Sequence, residues 1–184
     1  AAEAVERAIH PLAGGPLETV EGYADVLCAL AVTAPGLGVT LAIADGDGPV
    51  DAALDAWREH AVAAHAGVRS ADLERHDGLL VARTDGPVEA VARLLRDYRS
   101  PEPAVLAIRS TGSEDEAEDD LAGDDLAGDD LVEAALATTD APADPIEAAA
   151  EAAGGSGLAR GTAGFARFAP DRIDDLVDAV GGAI

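Results

Sequence analysis

Between residues 76 and 110 the apolar positions change period twice. Gly78-Leu79-Leu80-Val81-Ala82 is a continuous apolar run bounded by Asp77-Gly78 and by Thr84-Asp85-Gly86-Pro87, the pattern of a strand buried on both faces. From Pro87 the period becomes helical, with Val88, Val91, Leu94 and Leu95 on one face and Glu89, Arg93, Arg96 and Asp97 on the other. Pro101 and Pro103 end that helix, and Ala104-Val105-Leu106-Ala107-Ile108 predicts a second buried strand closing at Arg109-Ser110. Strand, helix and strand in succession predict a right-handed crossover between parallel strands. Arg109 and Ser110 then stand at the carboxyl end of a strand, the edge where ligands bind in open α/β sheets.

The flanking chain is read in the same way. Residues 2–9 are helical in pattern and Pro11 to Pro16 form a turn. Thr19 is placed to cap a helix carrying Tyr23, Val26, Leu27 and Leu30 toward Pro35. Gly36 to Ala44 is apolar throughout, and periodicity cannot separate a buried strand from a close-packed helix there. Asp45-Gly46-Asp47-Gly48-Pro49 is a turn: Pro49 falls on the third ligand position of a calcium loop, and no glutamate closes it. Val50 to Val68 is an amphipathic helix with Ala53, Leu54, Trp57, Ala61, Ala64 and Val68 inward. Its His60 and His65 diverge by about 140° and do not share a metal.

Beyond Ser110, Thr111 to Asp130 is almost entirely Gly, Ser, Ala and acid, with Asp119-Asp120-Leu121-Ala122-Gly123 repeated from Asp124. So little apolar surface does not offset the entropy of ordering, which predicts a disordered or weakly helical insertion. Leu131 to Ala137 predicts a helical turn and Thr139 to Pro145 a loop. Ile146 to Ala152 predicts a short helix capped at Gly154-Gly155. Gly157 to Gly161 is a glycine-rich loop leading into a strand at Ala163 to Phe168. Pro170 and Asp171 open a last helix with Ile173, Leu176, Val177 and Val180 inward. The expected fold is α/β, a small mostly parallel or mixed sheet with flanking helices. A helical connecting region over 1–70 precedes it, and the insertion covers about 111–145 of the 71–184 domain.

Composition sharpens this picture. A 48% hydrophobic share suffices for a core, but much of it is alanine, and aromatics are 3%. The 36 acidic residues against 12 basic ones give a net charge of −24, and every basic residue is arginine. At ordinary salt that field repels nucleic acid. An acidic, lysine-free surface suits a high-salt cytoplasm, where the Debye length falls to about 3 Å and net charge no longer decides partners. The charge is therefore read as solvent adaptation. Cys28 is alone, which excludes a disulfide framework within the chain, and no membrane-length apolar run occurs, so a cytoplasmic protein is expected. The chain starts at Ala1 and contains no methionine, which fits either a fragment or a processed product, and any catalytic part would then lie upstream.

A glycine-rich loop lets backbone N–H groups approach an anion, and Arg160 within it adds a cationic fork suited to phosphate. In this order the motifs resemble a known family. Leu79-Leu80-Val81-Ala82, Val88 to Arg99, Pro103 to Ser110, Gly154-Gly155-Ser156-Gly157 and Thr162-Ala163-Gly164-Phe165 together resemble the DHH-associated C-terminal domain of the DHH phosphoesterases. The stretch from Glu21 to Ala29, Pro35-Gly36-Leu37-Gly38 and the helix around Trp57 resemble the connecting region of archaeal RecJ-like and GINS-associated nucleases.

The resemblance implies a substrate-binding domain that grips single-stranded nucleic acid or a short oligonucleotide. Its binding residues would be Arg109, Ser110, Gly154, Gly155, Gly157, Arg160, Gly161 and Gly164, and Arg109 and Arg160 would meet on one phosphate. Ala159 stands where the family has histidine, and the Asp-His-His metal motif is absent, so this stretch holds no catalytic residue or metal. Mn or Mg is expected in a missing N-terminal catalytic domain. Two rival readings share these residues: an interaction module for replication proteins of the GINS type, and the substrate domain of a small-nucleotide phosphodiesterase. Phe165 is expected in the core, not as a base-stacking platform.

Overall fold

The computed structural model describes residues 17, 19–43, 49–110 and 131–184, with Glu21 and Ser110 described by backbone alone. The expected helix at 2–9, the turn at 11–16, the turn residues Asp45 to Gly48 and the acidic segment 111–130 lie outside the described residues. Two compact units divide the chain, Ala1–Ala63 and Ala64–Ile184.

In the first unit, α1 (Val20–Thr33) starts at Thr19, whose hydroxyl accepts from the Gly22 N–H at 3.0 Å. The apolar run that follows is a helix, α2 (Pro35–Ile43). Gly38 explains the choice: a Cβ there would meet Leu30 Cβ at 3.3 Å, so the two helices pack closely through a missing side chain. Tyr23 donates its hydroxyl to the Leu41 carbonyl at 3.2 Å across the same contact. Val26, Leu30, Leu41, Val50 and Ala53 form this unit's core, with Trp57 packed against it. Val50 and Ala53 come from α3 (Val50–Ser70), within which the unit boundary falls.

The second unit is a mixed α/β domain, as the sequence predicts. Its strands are β1 (Asp72–His76), β2 (Leu79–Arg83), β3 (Ala104–Ser110), β4 (Val132–Thr138), β5 (Ser156–Arg160) and β6 (Ala163–Phe168), in the order β1-β2-β3-β4-β6-β5. The β2–β3 pair is parallel, joined by α4 (Val88–Tyr98) as the crossover; the other four pairs are antiparallel. Val88, Val91, Ala92 and Leu95 of α4 pack on Leu80, Ala82, Val105, Ala107, Ala135 and Ala137. On the opposite face α5 (Pro145–Ala152) and α6 (Ile173–Gly181) cover the alternate residues, among them Leu79, Val81, Leu106, Leu136 and Phe168. A 3-10 turn, Pro170–Arg172, leads into α6.

Three expectations are corrected, and one strand was not foreseen. Residues 132–138 form a strand buried along its whole length, so the insertion ends before Val132 and not near 145. Alanine favours helix by no more than about 0.7 kcal/mol per residue, whereas burying Val132 and Leu136 gains about 1.5–3 kcal/mol each and pairs the backbone on both sides. The glycine-rich stretch is also a strand, β5, in a tight hairpin with β6 through Gly161 at φ +61°. Because β4 lies between them, β3 and β6 are not neighbours. Finally, β1 pairs with β2 through the Asp77-Gly78 turn; exposed along its length, it lacks the apolar run that would reveal it.

Candidate functional site at one end of the sheet

Arg109, Glu133, Arg167 and Ser156 occupy one register row across β3, β4, β6 and β5. Alternation puts Arg109 and Arg167 on the α4 face, in phase with Ala107 and Phe165. Glu133, on the same face, is buried and accepts from both guanidinium groups: from Arg109 Nη2 on Oε2, and from Arg167 Nε and Nη2 on Oε1 at 3.1 and 2.8 Å. Arg167 also lies over the Phe165 ring, 5.4 Å from its centroid, a cation–π distance. Glu89 of α4 faces this group. Loss of hydration raises its carboxyl above the ordinary range, the charge on Glu133 raises it further, and Arg167 pulls it back.

The glycine turn comes to the same end. α5 closes with Gly154 at φ +73°, the Gly155 N–H bonding the Ala150 carbonyl and the Gly154 N–H that of Glu151. A Cβ on Gly155 would lie 2.1 Å from the Arg167 carbonyl oxygen, so only glycine lets the turn run this close to β6. Arg167 therefore links two predicted groups: Gly154 and Gly155 flank it on one side, and Glu133 ties it to Arg109 on the other. The backbone of Ser110 is one position further toward the same edge, paired with Val132.

Arg160 and Gly161 are elsewhere. Arg160 pairs with Ala163 at the opposite end of β5, three strands across and four residues along from Arg109. At about 4.8 Å per strand and 3.3 Å per residue, the two Cα atoms are about 20 Å apart, about twice the Arg109–Arg167 spacing, and among the described residues no shared carboxylate draws the two side chains together. This corrects the one-pocket expectation, and the cause is the strand β4 inserted between β3 and β6. Arg160 nevertheless shares the sheet face of Arg109. Ser156, Leu158 and Arg160 alternate onto it beside Phe165 and Arg167, while α4 lies over β3 and β4 and barely reaches β6. The β5–β6 half of this face is thus open: Leu158 is 71% exposed and Phe165 only half-buried, not a full core residue. Gly157 and Gly164 point to the other face, where a Cβ would meet Ala150 Cβ at 3.1 Å and Ile146 Cγ2 at 2.5 Å respectively. Their place is packing against α5. Ala159 spends its N–H on the Glu147 carboxylate of α5.

Glu133, Arg167 and Glu89 are the residues that sequence reading missed. An acid inside an apolar run was a visible signal for Glu133, masked by the alanine-rich helical pattern. Arg167 follows from strand alternation with Phe165 once the glycine stretch is known to be a hairpin. On the opposite face a cavity of about 230 Å³ at the carboxyl ends of β2 and β3 is lined by Ser70, Arg83, Thr84, Asp85, Ile108 and Ile173. Among the described residues no group of three His, Cys, Asp or Glu could hold a metal ion, and no helix is long and apolar enough to cross a membrane.

Fold and site together define a mixed α/β domain with an arginine-bearing sheet face half covered by one helix. Residues 71–182 match the family described as "Uncharacterized protein rrnAC1427, C-terminal domain", and the chain belongs to that family. The protein rrnAC1427 of Haloarcula marismortui is 43% identical over 168 residues, 91% of this chain. The chain spans 40% of that relative's length. Among solved structures, a "pGpG-specific phosphodiesterase - PggH from Vibrio cholrae" is 12% identical, with a TM-score of 0.40 over 80% of this chain and 48% of that one. A score at that level carries no argument about chemistry.

Proposed function

We propose that Ala64–Ile184 is the substrate-binding domain of a larger phosphoesterase of the DHH, RecJ-like type, and that its open half-face holds single-stranded nucleic acid or a short oligonucleotide. The observation that carries the reading is the placement of Arg109, Arg167 and Arg160 on one sheet face, with Phe165 and Leu158 between them. Cations that engage phosphates, beside an aromatic and an apolar surface on which bases can lie, are what sequence-independent single-strand binding needs. The Gly154-Gly155 turn, its N–H groups spent on the Glu151 and Ala150 carbonyls, lets the chain run close to Arg167 at this end, and the Ser110 backbone lies one position beyond Arg109. Arg160 and Gly161 engage a second phosphate, a few nucleotides along. Among the described residues no group of side chains fits the Mn or Mg of such enzymes, and on this reading metal-dependent cleavage belongs to protein outside this chain, acting in a high-salt cytoplasm.

Fluorescence anisotropy with a labelled short oligothymidylate in molar KCl tests this. Arg109→Ala and Arg160→Ala should each weaken binding by roughly 1.5–3 kcal/mol, the scale of hydrogen bonds to charged groups. Because the two are about 20 Å apart, their effects should add, as they would not if they shared one phosphate. Binding that is absent, or indifferent to Arg109, would refute the reading. A second reading, an interaction module for a replication partner, is favoured by Ala159, which stands at the family's histidine position with its N–H already spent on Glu147. Binding of a protein partner without binding of the oligonucleotide would select it.

A further inference from the structure

Glu133 poses a question that fold stability does not answer. It is a charged side chain 10% exposed, on a strand otherwise filled by Val, Ala and Leu. A buried ion triad is often no more stabilising than apolar residues of the same volume, so its presence calls for another role. What the carboxylate does in the structure is converge two guanidinium groups whose Cα atoms stand two strands, about 10 Å, apart. Each guanidinium has five N–H donors. Glu133 occupies one on Arg109 and two on Arg167, and both side chains keep solvent access, 33% and 56% exposed. The Glu89 carboxyl of α4 also faces the group, shifted toward its neutral form by lost hydration and by Glu133, so what the triad offers an anion is the guanidinium N–H donors that Glu133 leaves unoccupied.

We propose that Glu133 is a positioning residue that holds Arg109 and Arg167 as the two arms of a clamp on one phosphate group, with Arg167 the second arm. The inference rests on the nucleic-acid reading and deepens it. Without the carboxylate between them, two like charges would separate and their long side chains would sample many rotamers. With it, both forks face the same point, where a phosphate accepts from both.

The test uses the full chain in molar KCl with 5′-phosphorylated dithymidylate as probe, titrated by calorimetry and followed by the Arg Nε–H resonances. Arg167→Ala and Glu133→Gln should each weaken binding about tenfold or more, and Glu133→Asp, which restores the charge on a shorter arm, should recover part of the loss. The Arg167 Nε–H resonance should be protected in the parent chain, shift on addition of the probe, and lose protection in Glu133→Gln. A purely structural Glu133 would leave the probe-induced shift unchanged. Tighter binding by Glu133→Gln would make Glu133 a competitor of the anion and overturn the proposal. If Glu133→Gln fails to fold, Arg167→Ala at its exposed position decides alone. Binding that needs Arg109 and ignores Arg167 overturns the clamp and spares the nucleic-acid reading, whereas no binding by the parent chain overturns both.

Discussion

Replacing Gly155 by alanine should cost this protein more than replacing its neighbour Gly154, although Gly154 is the one with a left-handed backbone. At Gly154, φ is +73° and a Cβ would meet nothing within 4 Å, so the penalty is the conformational one, about 1–2 kcal/mol. At Gly155 a Cβ would sit 2.1 Å from the Arg167 carbonyl oxygen, 2.7 Å from Phe168 Cβ and 2.8 Å from Phe168 Cα. Two of those neighbours are backbone atoms of a paired strand and cannot swing aside, so the turn must withdraw by roughly 1 Å, loosening contacts along β6. Overpacking of this kind costs about 1–3 kcal/mol, and a rigid neighbour places it at the upper end. With a urea slope of about 1–1.5 kcal/mol/M for a domain of this size, a 3 kcal/mol loss lowers the midpoint by about 2 M or more. Equilibrium urea unfolding of both variants in molar KCl measures it. Equal midpoints would show that the turn does not approach β6 as closely as the contact geometry requires.

Other consequences follow from charge and topology. The Glu89 carboxyl is raised in the folded state by lost hydration and by Glu133, so between its unfolded and folded values the native protein binds more protons and stability falls as pH rises. Glu89→Gln should therefore match the parent below that window and exceed it in urea midpoint above it; a midpoint difference independent of pH would contradict this. Joining Ser110 to Val132 with a short Gly-Asn linker in place of 111–131 should leave the thermal midpoint nearly unchanged, because the β3–β4 register already pairs those two residues and the removed sequence is poor in apolar side chains; a large drop would show that the segment packs. Dilution from molar salt should unfold the chain as a net charge of −24 becomes unscreened, the Debye length growing from about 3 to about 30 Å. Circular dichroism unchanged in dilute buffer would count against that.

What the sequence determined is whatever its local pattern could specify. The crossover from Leu79 to Ser110, the Thr19 cap, the Gly154 cap and the inward face of α6 all depend on residues within one or two turns of each other, and each is found where periodicity puts it. Arg109 was legible at its strand end for the same reason. Tertiary structure decided the rest. An alanine-rich stretch became the central strand β4 because burial on both faces and pairing with two neighbours outweigh a small helical preference. That one insertion set Arg160 about 20 Å from Arg109 and brought Arg167 to it instead, through the Glu133 carboxylate. Which charges meet is a property of strand order and register. Those arise from long-range packing of chain segments, and no local window of the sequence contains them.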